Sequence, residues 1–346
     1  MNYFIGEEVI DDRANRTAGT KARDDIEKIL ISVGYKKVPI NIVKKKNSIG
    51  NLIAEQRDIK RHWYEVIDNI LENDSNLIIQ FPLVNHTVYL KNIIKKIKSK
   101  GIKITFLVHD LDMFRVLSFK RKLRLFLEER NVFSMVDNII VHNDIMKEKL
   151  VEKGIQANKL ISLEIFDYLI DGDKFPQKIR YGTQLIVAGA LVKHKVGYLY
   201  QGPTSPQYNL YGVGYEANFD NLKYKGSFEP EELPFNLEGS YGLIWDGDSL
   251  LTCSGTYGEY LRINNPHKTS LYLASGIPVV IWKGAALADF VTKNNVGISV
   301  DSLLDVNKEL SKISRDEYEK MRSNAERIAV KLRRGYYTKK AISQIS

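Results

Sequence analysis

Residues 264–280 read NNPHKTSLYLASGIPVV, and the order of residue types in this stretch points to the fold class. Asn-Asn-Pro-His-Lys-Thr leads straight into the apolar run SLYLA, then Gly276, then Pro278 and a second apolar run, VVIW (279–282). Proline suits the first helical position, because its missing N–H costs nothing there and its φ is already set. Glycine suits the left-handed position just past a helix end. The stretch therefore predicts a short helix from Pro266, closed by Gly276 and followed by a buried strand. Helix then strand at this spacing is part of a βαβ unit, in which a parallel sheet is covered by helices.

The same alternation extends outward in both directions. Apolar strand-like runs recur at Leu185–Val187, Leu210–Val213, Leu222–Tyr224, Leu243–Trp245 and Ile298–Val300, with helical spacing at Leu287–Thr292 and Arg315–Lys331. An earlier series has strand-like runs at Tyr3–Ile5, Val38–Val43, Leu77–Phe81, Ile104–Val108, Ile139–Val141 and Leu160–Phe166. Helical stretches at Ala22–Val33, Ile53–Leu71, Val88–Ile97 and Ile145–Val151 separate them. Between the series, IFDYLIDGDKFPQKIRYG (165–182) loses periodicity and carries Gly172 and Pro176, which reads as an interdomain linker. The expectation is two α/β domains, 1–168 and 180–318, facing across a cleft. A C-terminal helix of about residues 320–346 is expected to pack back on the first.

Composition bounds the function. The 346 residues are 44% hydrophobic and 27% charged, an ordinary globular balance, and the length suits about two domains. Net charge is +9 and the isoelectric point about 9.2, which favours anionic partners such as sugar nucleotides, phospholipid surfaces or nucleic acid. The positive charge is spread over many helices and no nucleic-acid-binding module is visible, so no nucleic-acid partner is expected. One cysteine, Cys253, excludes a disulfide framework within the chain and fits a reducing compartment. The opening MNYFIGEEVIDDR lacks the charged and apolar regions of a signal peptide, and no run reaches the ~20 apolar residues of a spanning helix. A soluble or peripheral cytoplasmic protein is the expectation.

Four clusters can carry chemistry. Lys268 and Thr269 fall in the first helical turn of the quoted stretch, where a cation runs against the helix dipole unless an anion is bound there. A phosphate would satisfy both the amine and the backbone N–H groups; a capping cluster with a solvated lysine fits the same spacing. GALVKHKVGYL (189–199) follows the first strand of the second series, where open α/β sheets place ligand loops, and groups Lys193, His194 and Lys195. A solvated basic turn is the alternative. There is no GxGxxG and no Walker loop, which removes support for dinucleotide and P-loop readings. GLIWDGDS (242–249) offers Asp246 and Asp248, a pair suited to a metal or a ribose, though acidic turns with glycine are often structural. FLVHDLD (106–112) places His109, Asp110 and Asp112 at a strand end, as catalytic groups or as a satisfied histidine with a helix cap.

These residues also carry a resemblance. GLIWDGDS..TCSG..G.YL..NNPHKTSLYL is similar to the C-terminal domain of bacterial β-1,6-galactofuranosyltransferases of O-antigen and capsule synthesis. AGTKARDD (18–25), LVHDLD (107–112), HND (142–144), IFDYL (165–169), GALVKHK (189–195), YGVGYE (211–216), YKGSF (224–228) and AALADF (285–290) resemble the same family in order along the chain. More distantly, the chain is similar to glucosyltransferases of streptococcal serine-rich adhesins.

The resemblance implies the glycosyltransferase-B arrangement, two Rossmann-like domains with the nucleotide held mainly by the C-terminal one. It implies UDP-galactofuranose as donor, a lipid-linked glycan as acceptor, and no cofactor and no metal. The alternative donor is UDP-glucose, with a glycoprotein or polysaccharide as acceptor. Matched by position to the adhesin-modifying relatives, Lys193, Phe228 and Lys268 hold UDP, with Phe228 where the relatives have tyrosine and Lys193 where they have arginine. Lys195, Asp248, Asn265 and Thr269 complete the expected donor site, with Asp246-Gly-Asp248 as a sugar- or loop-ordering element. A cationic grip would hold the departing UDP as its charge develops. An inverting transfer needs a general base, for which the candidates are Asp110, then Asp112, with Asp12 behind. Lys21 and Arg23 are further candidates for donor or acceptor contact.

Phe114–Arg130, with Arg115, Lys120, Arg121, Lys122 and Arg124 among apolar residues, reads as a basic amphipathic helix for peripheral contact at the inner membrane face, or as a domain helix with a solvated basic side. The resemblance to relatives that associate implies self-association into a homo-oligomer as an expectation.

Overall fold

The structure, a computed structural model, describes residues 1–10, 18–43, 49–115, 119–172, 174–216 and 219–345. Within these ranges the side chains of 8–10, 18–19, 41–43, 49–52 and 119–126 lie outside the description. The described residues form two compact units, one within 1–15, 23–164 and 338–346, the other within 16–22 and 165–337.

The first unit is built on six parallel strands: β1 (Asn2–Ile10), β2 (Lys36–Val43), β3 (Asn76–Phe81), β4 (Lys103–Val108), β5 (Asn138–Val141) and β6 (Leu160–Ser162). Their order is β2-β1-β3-β4-β5-β6, so the winding reverses between β1 and β3. Leu77 through Phe81 and Ile104 through Val108 are buried without alternation. That is the signature of strands covered on both faces, and it explains why they read as continuous apolar runs. Phe81, Phe106 and Phe133 pack together with ring centroids 5.1 to 6.0 Å apart.

The second unit carries β7 (Lys178–Ile179), β8 (Leu185–Ala188), β9 (Tyr208–Tyr211), β10 (Leu222–Gly226), β11 (Glu238–Gly239), β12 (Tyr241–Ile244), β13 (Val279–Trp282) and β14 (Gly297–Val300). The main sheet runs β10-β9-β8-β12-β13-β14, all parallel, and β7 pairs with β11. Here the winding reverses between β8 and β12. Open α/β sheets bind ligands at the carboxyl ends of the strands flanking such a reversal. The loops after β8 and β12 are therefore the places to look.

Three sequence expectations change. Pro266 is not inside the helix. The helix spans His267–Ala274, and Pro266 precedes it in extended conformation, φ −66° and ψ 128°. Gly276 does take the left-handed turn, at φ +69°. Residues 165–182, expected to link the two domains, begin at the boundary between the units and are only partly exposed: Ile165, Phe166, Asp167, Tyr168 and Ile179 are buried, while Asp171, Gly172, Lys174, Gln177, Lys178, Arg180 and Tyr181 are exposed. Nor is 320–346 one helix on the first unit. Arg315–Arg333, started by a reciprocal Ser314–Glu317 capping box, packs on His267–Ala274 within the second unit, and only residues from Thr338 onward group with the first.

Candidate active site

In the second unit, three segments meet at the β8–β12 reversal. After β8, Gly189 (φ +125°) leads to a single helical turn, Lys193–Val196. After β12 come Trp245, Asp246, Gly247 and Asp248. Backbone bonds stitch the two loops together: Gly247 N–H donates to the Lys195 carbonyl at 2.8 Å, and Tyr198 N–H donates to the Gly247 carbonyl at 3.2 Å. Gly247 holds φ +112°, and a Cβ there would stand 2.7 Å from the Ser254 nitrogen, so no other residue fits. Gly197 lies equally close to Asp248, with 2.9 Å from a would-be Cβ to the Asp248 Cα.

The third segment is the His267–Ala274 helix. Its lengthwise position is keyed to both strands. The Ala188 N–H at the end of β8 donates to the Tyr272 hydroxyl at 2.8 Å. Gly242 in β12 lies against Tyr272 so closely that a Cβ would overlap the ring. One turn before Tyr272, Lys268 projects to the β12 loop. Its Nζ donates to Asp246 Oδ1 at 2.7 Å and to the Trp245 carbonyl at 2.9 Å. The pair is nearly closed to solvent, with 11% and 7% of the two side chains exposed. Burial pulls the Lys268 ammonium below its ordinary pKa, Asp246 pushes it back up, and the nearby Lys195 lowers it again.

The expected anion opposite Lys268 is thus supplied in this structure by Asp246, expected only as part of a sugar- or loop-ordering element. Its neighbour Asp248 is exposed, accepts from the Ser254 hydroxyl and, through its carbonyl, from Gln201 Nε2, which is loop ordering. Burial separates the two aspartates and could not be read from D-x-D. Position could have helped, since Asp246 directly follows an apolar strand end. Among the described residues no group of three metal-binding side chains occurs.

Lys195 lies over Tyr257 at 5.8 Å, and its charge is felt at Lys268. Lys193 is exposed in the same turn. Thr269 is fully buried; its N–H donates to the Pro266 carbonyl at 2.9 Å, while Oγ1 has no partner. Asn265 is buried at the helix entry. Phe228 follows β10, half-buried beside Tyr211 at 6.2 Å, two strands or roughly 10 Å from β8. The structure therefore gathers Lys195, Lys268, Thr269 and Asp248 at the reversal, with Phe228 to one side.

Two further residues belong to this unit's site region. Lys21 is buried, donates to the Leu169 carbonyl at 2.8 Å and lies over Tyr168 at 4.8 Å. Tyr168 in turn packs on His267, centroids 5.0 Å apart.

In the first unit, the candidate bases stand at the end of β4. Asp110 pairs with Arg115 at 3.1 Å and keeps 43% of its side chain exposed. Asp112 begins a short helix, Asp112–Arg115, whose first N–H groups donate to the buried Glu129: Asp112 N to Oε1 at 3.0 Å and Met113 N to Oε2 at 3.2 Å. Burial pushes Glu129 up to about 7. His109 shares a 2.6 Å bond with Gln80, and His142 bonds the His109 carbonyl at 3.0 Å, so these histidines brace the loop. Burial drives His142 down to about 4. Arg23 donates to the Pro82 carbonyl at 2.6 Å. Asp12 and the side chains of Lys120, Arg121, Lys122 and Arg124 lie outside the described residues.

Two units with doubly wound parallel sheets give the chain the glycosyltransferase-B fold, and the family relatives described next make it a hexosyltransferase. The fold agrees with that of sucrose-phosphate synthase from Thermosynechococcus elongatus, at a TM-score of 0.66 over 99% of this chain and 97% of that one, with 10% sequence identity. The chain belongs to the glucosyltransferase 3-like family: the N-terminal domain model matches residues 2–165 and the C-terminal model 185–345. It is 36% identical over 280 residues to the β-1,6-galactofuranosyltransferase WbbI of Escherichia coli K12, covering 80% of each chain. It is 26% identical over 271 residues to glucosyltransferase 3 of Streptococcus gordonii, covering 77% of each.

Proposed function

We propose that the chain transfers galactofuranose from UDP-galactofuranose to a sugar hydroxyl of a lipid-linked glycan, forming a β-1,6 linkage during O-antigen or capsule synthesis. The observation that carries this reading is Lys268, a buried cation with a charge partner at the β8–β12 reversal, in a chain 36% identical to a galactofuranosyltransferase. Lys268 holds its position through Trp245 and Asp246 and has one ammonium proton left for a phosphate oxygen. Lys195 and Lys193 add charge beside it, Thr269, Asn265 and Asp248 order the loops, and Phe228 flanks the base.

The transfer is a single displacement with inversion. The acceptor oxygen bonds to the anomeric carbon as the bond from that carbon to the β-phosphate oxygen breaks. UDP leaves with the bonding pair, and the cations stabilise its charge without metal. The acceptor proton passes to Asp110, the open carboxylate of the β4 loop, with Asp112 second. A lipid-linked acceptor places the enzyme in the cytoplasm, at the inner membrane face. Among the described residues no helix is long and apolar enough to cross a membrane. Self-association belongs to the same reading.

The second reading is a UDP-glucose-dependent glucosyltransferase acting on a glycoprotein or polysaccharide, favoured by the Streptococcus gordonii relative. Release of UDP from each donor, with lipid-linked α-glucosides and α-galactosides as acceptors, separates them. Turnover with UDP-galactofuranose alone, lost in Lys268→Ala, is expected. Turnover with UDP-glucose alone sinks the furanose assignment, and absence of UDP binding sinks both readings.

A further inference from the structure

The cations at the β8–β12 reversal suit a diphosphate, but two buried atoms at the entry of the helix that carries Lys268 have the opposite chemistry. His267 leans on Tyr168 and meets Phe166 edge-on at 6.2 Å. One ring nitrogen bonds the Asp167 backbone, and Nε2 is buried with no partner. The bond to Asp167 is therefore made by Nδ1–H, which leaves Nε2 as a bare lone pair. Burial, and then the charge of Lys21, lower the imidazole pKa to about 4, so the ring is neutral near pH 7 and the lone pair persists. Lys21 also supports the Tyr168 ring on which His267 rests. Three residues before His267, Asn264 Oδ1 is a second buried acceptor with no partner.

Buried polar atoms are nearly always hydrogen-bonded, so an acceptor left over is costly and points to a donor that binds there. Ionised phosphate oxygens carry no proton and cannot serve these two atoms. An O–H donor can. The moiety of a nucleotide sugar that brings hydroxyls next to a diphosphate grip is the sugar itself. We propose that His267 Nε2 and Asn264 Oδ1 accept hydrogen bonds from hydroxyls of the transferred sugar, and that they make the site prefer UDP-sugar to UDP. This rests on the nucleotide-sugar reading of the site above.

The test is calorimetric titration of UDP, UDP-galactofuranose and UDP-glucose into the wild type and into His267→Phe, His267→Gln and Asn264→Leu, each checked for unchanged melting. In His267→Phe the affinity for UDP should stay within about twofold, while affinity for the preferred UDP-sugar falls about five- to tenfold, one neutral hydrogen bond's worth. His267→Gln, whose amide oxygen offers an acceptor at similar reach, should restore most of it. Asn264→Leu should repeat the selective loss and serves alone if His267→Phe does not fold. Equal losses for UDP and UDP-sugar overturn the proposal, as do unchanged affinities, the result if an internal water occupies both atoms. A wild type that binds UDP but gains nothing from the sugar overturns this inference alone. A wild type that binds no UDP overturns the nucleotide-sugar reading as well.

Discussion

Lys268 and Asp246 form a buried ion pair, 2.7 Å from Nζ to Oδ1, between the first turn of a helix and the loop after β12. Neither charge has much water to fall back on. Removing one partner of such a pair costs about 3–5 kcal/mol, because the survivor stays buried and unpaired. Lys268→Met and Asp246→Asn should each lower the unfolding free energy by that order. The double variant should recover most of it, since coupled partners are not additive. Denaturant unfolding of the four proteins checks this. Turnover gives the second axis: the double variant should regain stability and stay at least ~100-fold down in activity, because the cation proposed to hold the phosphate is gone.

Gly247 sits at φ +112° with the Ser254 backbone packed against it. Gly247→Ala should combine backbone strain with a steric clash, each worth ~1–3 kcal/mol. The expected outcome is a lower Tm and a large rise in the Kd for UDP, since the same loop carries Asp246. A variant with wild-type UDP affinity would show that the loop is not part of the site.

Acid stability should be shaped by two histidines opposed by two glutamates raised by burial, Glu129 and, more weakly, Glu7. His142 and His267 titrate near 4 in the fold and near 6.5 when unfolded, so the unfolded chain binds more protons between those values. Their stabilisation is complete above about 6.5 and is lost as pH falls toward 4. Glu129 runs the other way: raised to about 7 in the fold, its contribution is lost as pH rises from about 4.5 to 7. Stability should therefore rise with pH between 4.5 and 6.5 at a blunted slope. In Glu129→Gln the slope should steepen, as urea unfolding at half-unit steps would reveal.

For the transfer step, Asp110→Asn should lower kcat by about 10²–10⁴, the usual contribution of a positioned base. Asp112→Asn should cost far less. A larger loss at Asp112 would exchange the two roles. Chelation by EDTA should leave turnover unchanged, and a requirement for added divalent metal would overturn the cationic grip.

The strands were legible because both sheets are parallel and covered, so buried segments such as LIIQF and VVIW stand out as runs between helical spacings. In the stretch 165–182, Gly172, Pro176 and lost periodicity mark irregular chain, but sequence carries no direct mark that Ile165 through Tyr168 are buried. Lys268 stood out by its unfavourable place against the helix dipole, which is a local property, and the structure answers that with Asp246 as its counter-charge. Its partner was missed because Asp246 and Asp248 differ only in tertiary surroundings. His267 and Lys21 belong to one cluster separated by 246 positions, and only the fold joins them. Pro266 fell one residue from its expected place, a shift ordinary for helix ends.

Tyr272 acts as an alignment pin. Its hydroxyl takes the Ala188 N–H, its ring fills the space that Gly242 leaves open, and Lys268 and His267 ride on the same rigid helix. The stretch 264–275 is thus not a portable cassette. Anyone grafting residues 264–275 onto a related transferase to change its sugar preference would have to move Gly242 along with them. A side chain at that distant strand position would slide the whole helix out of register.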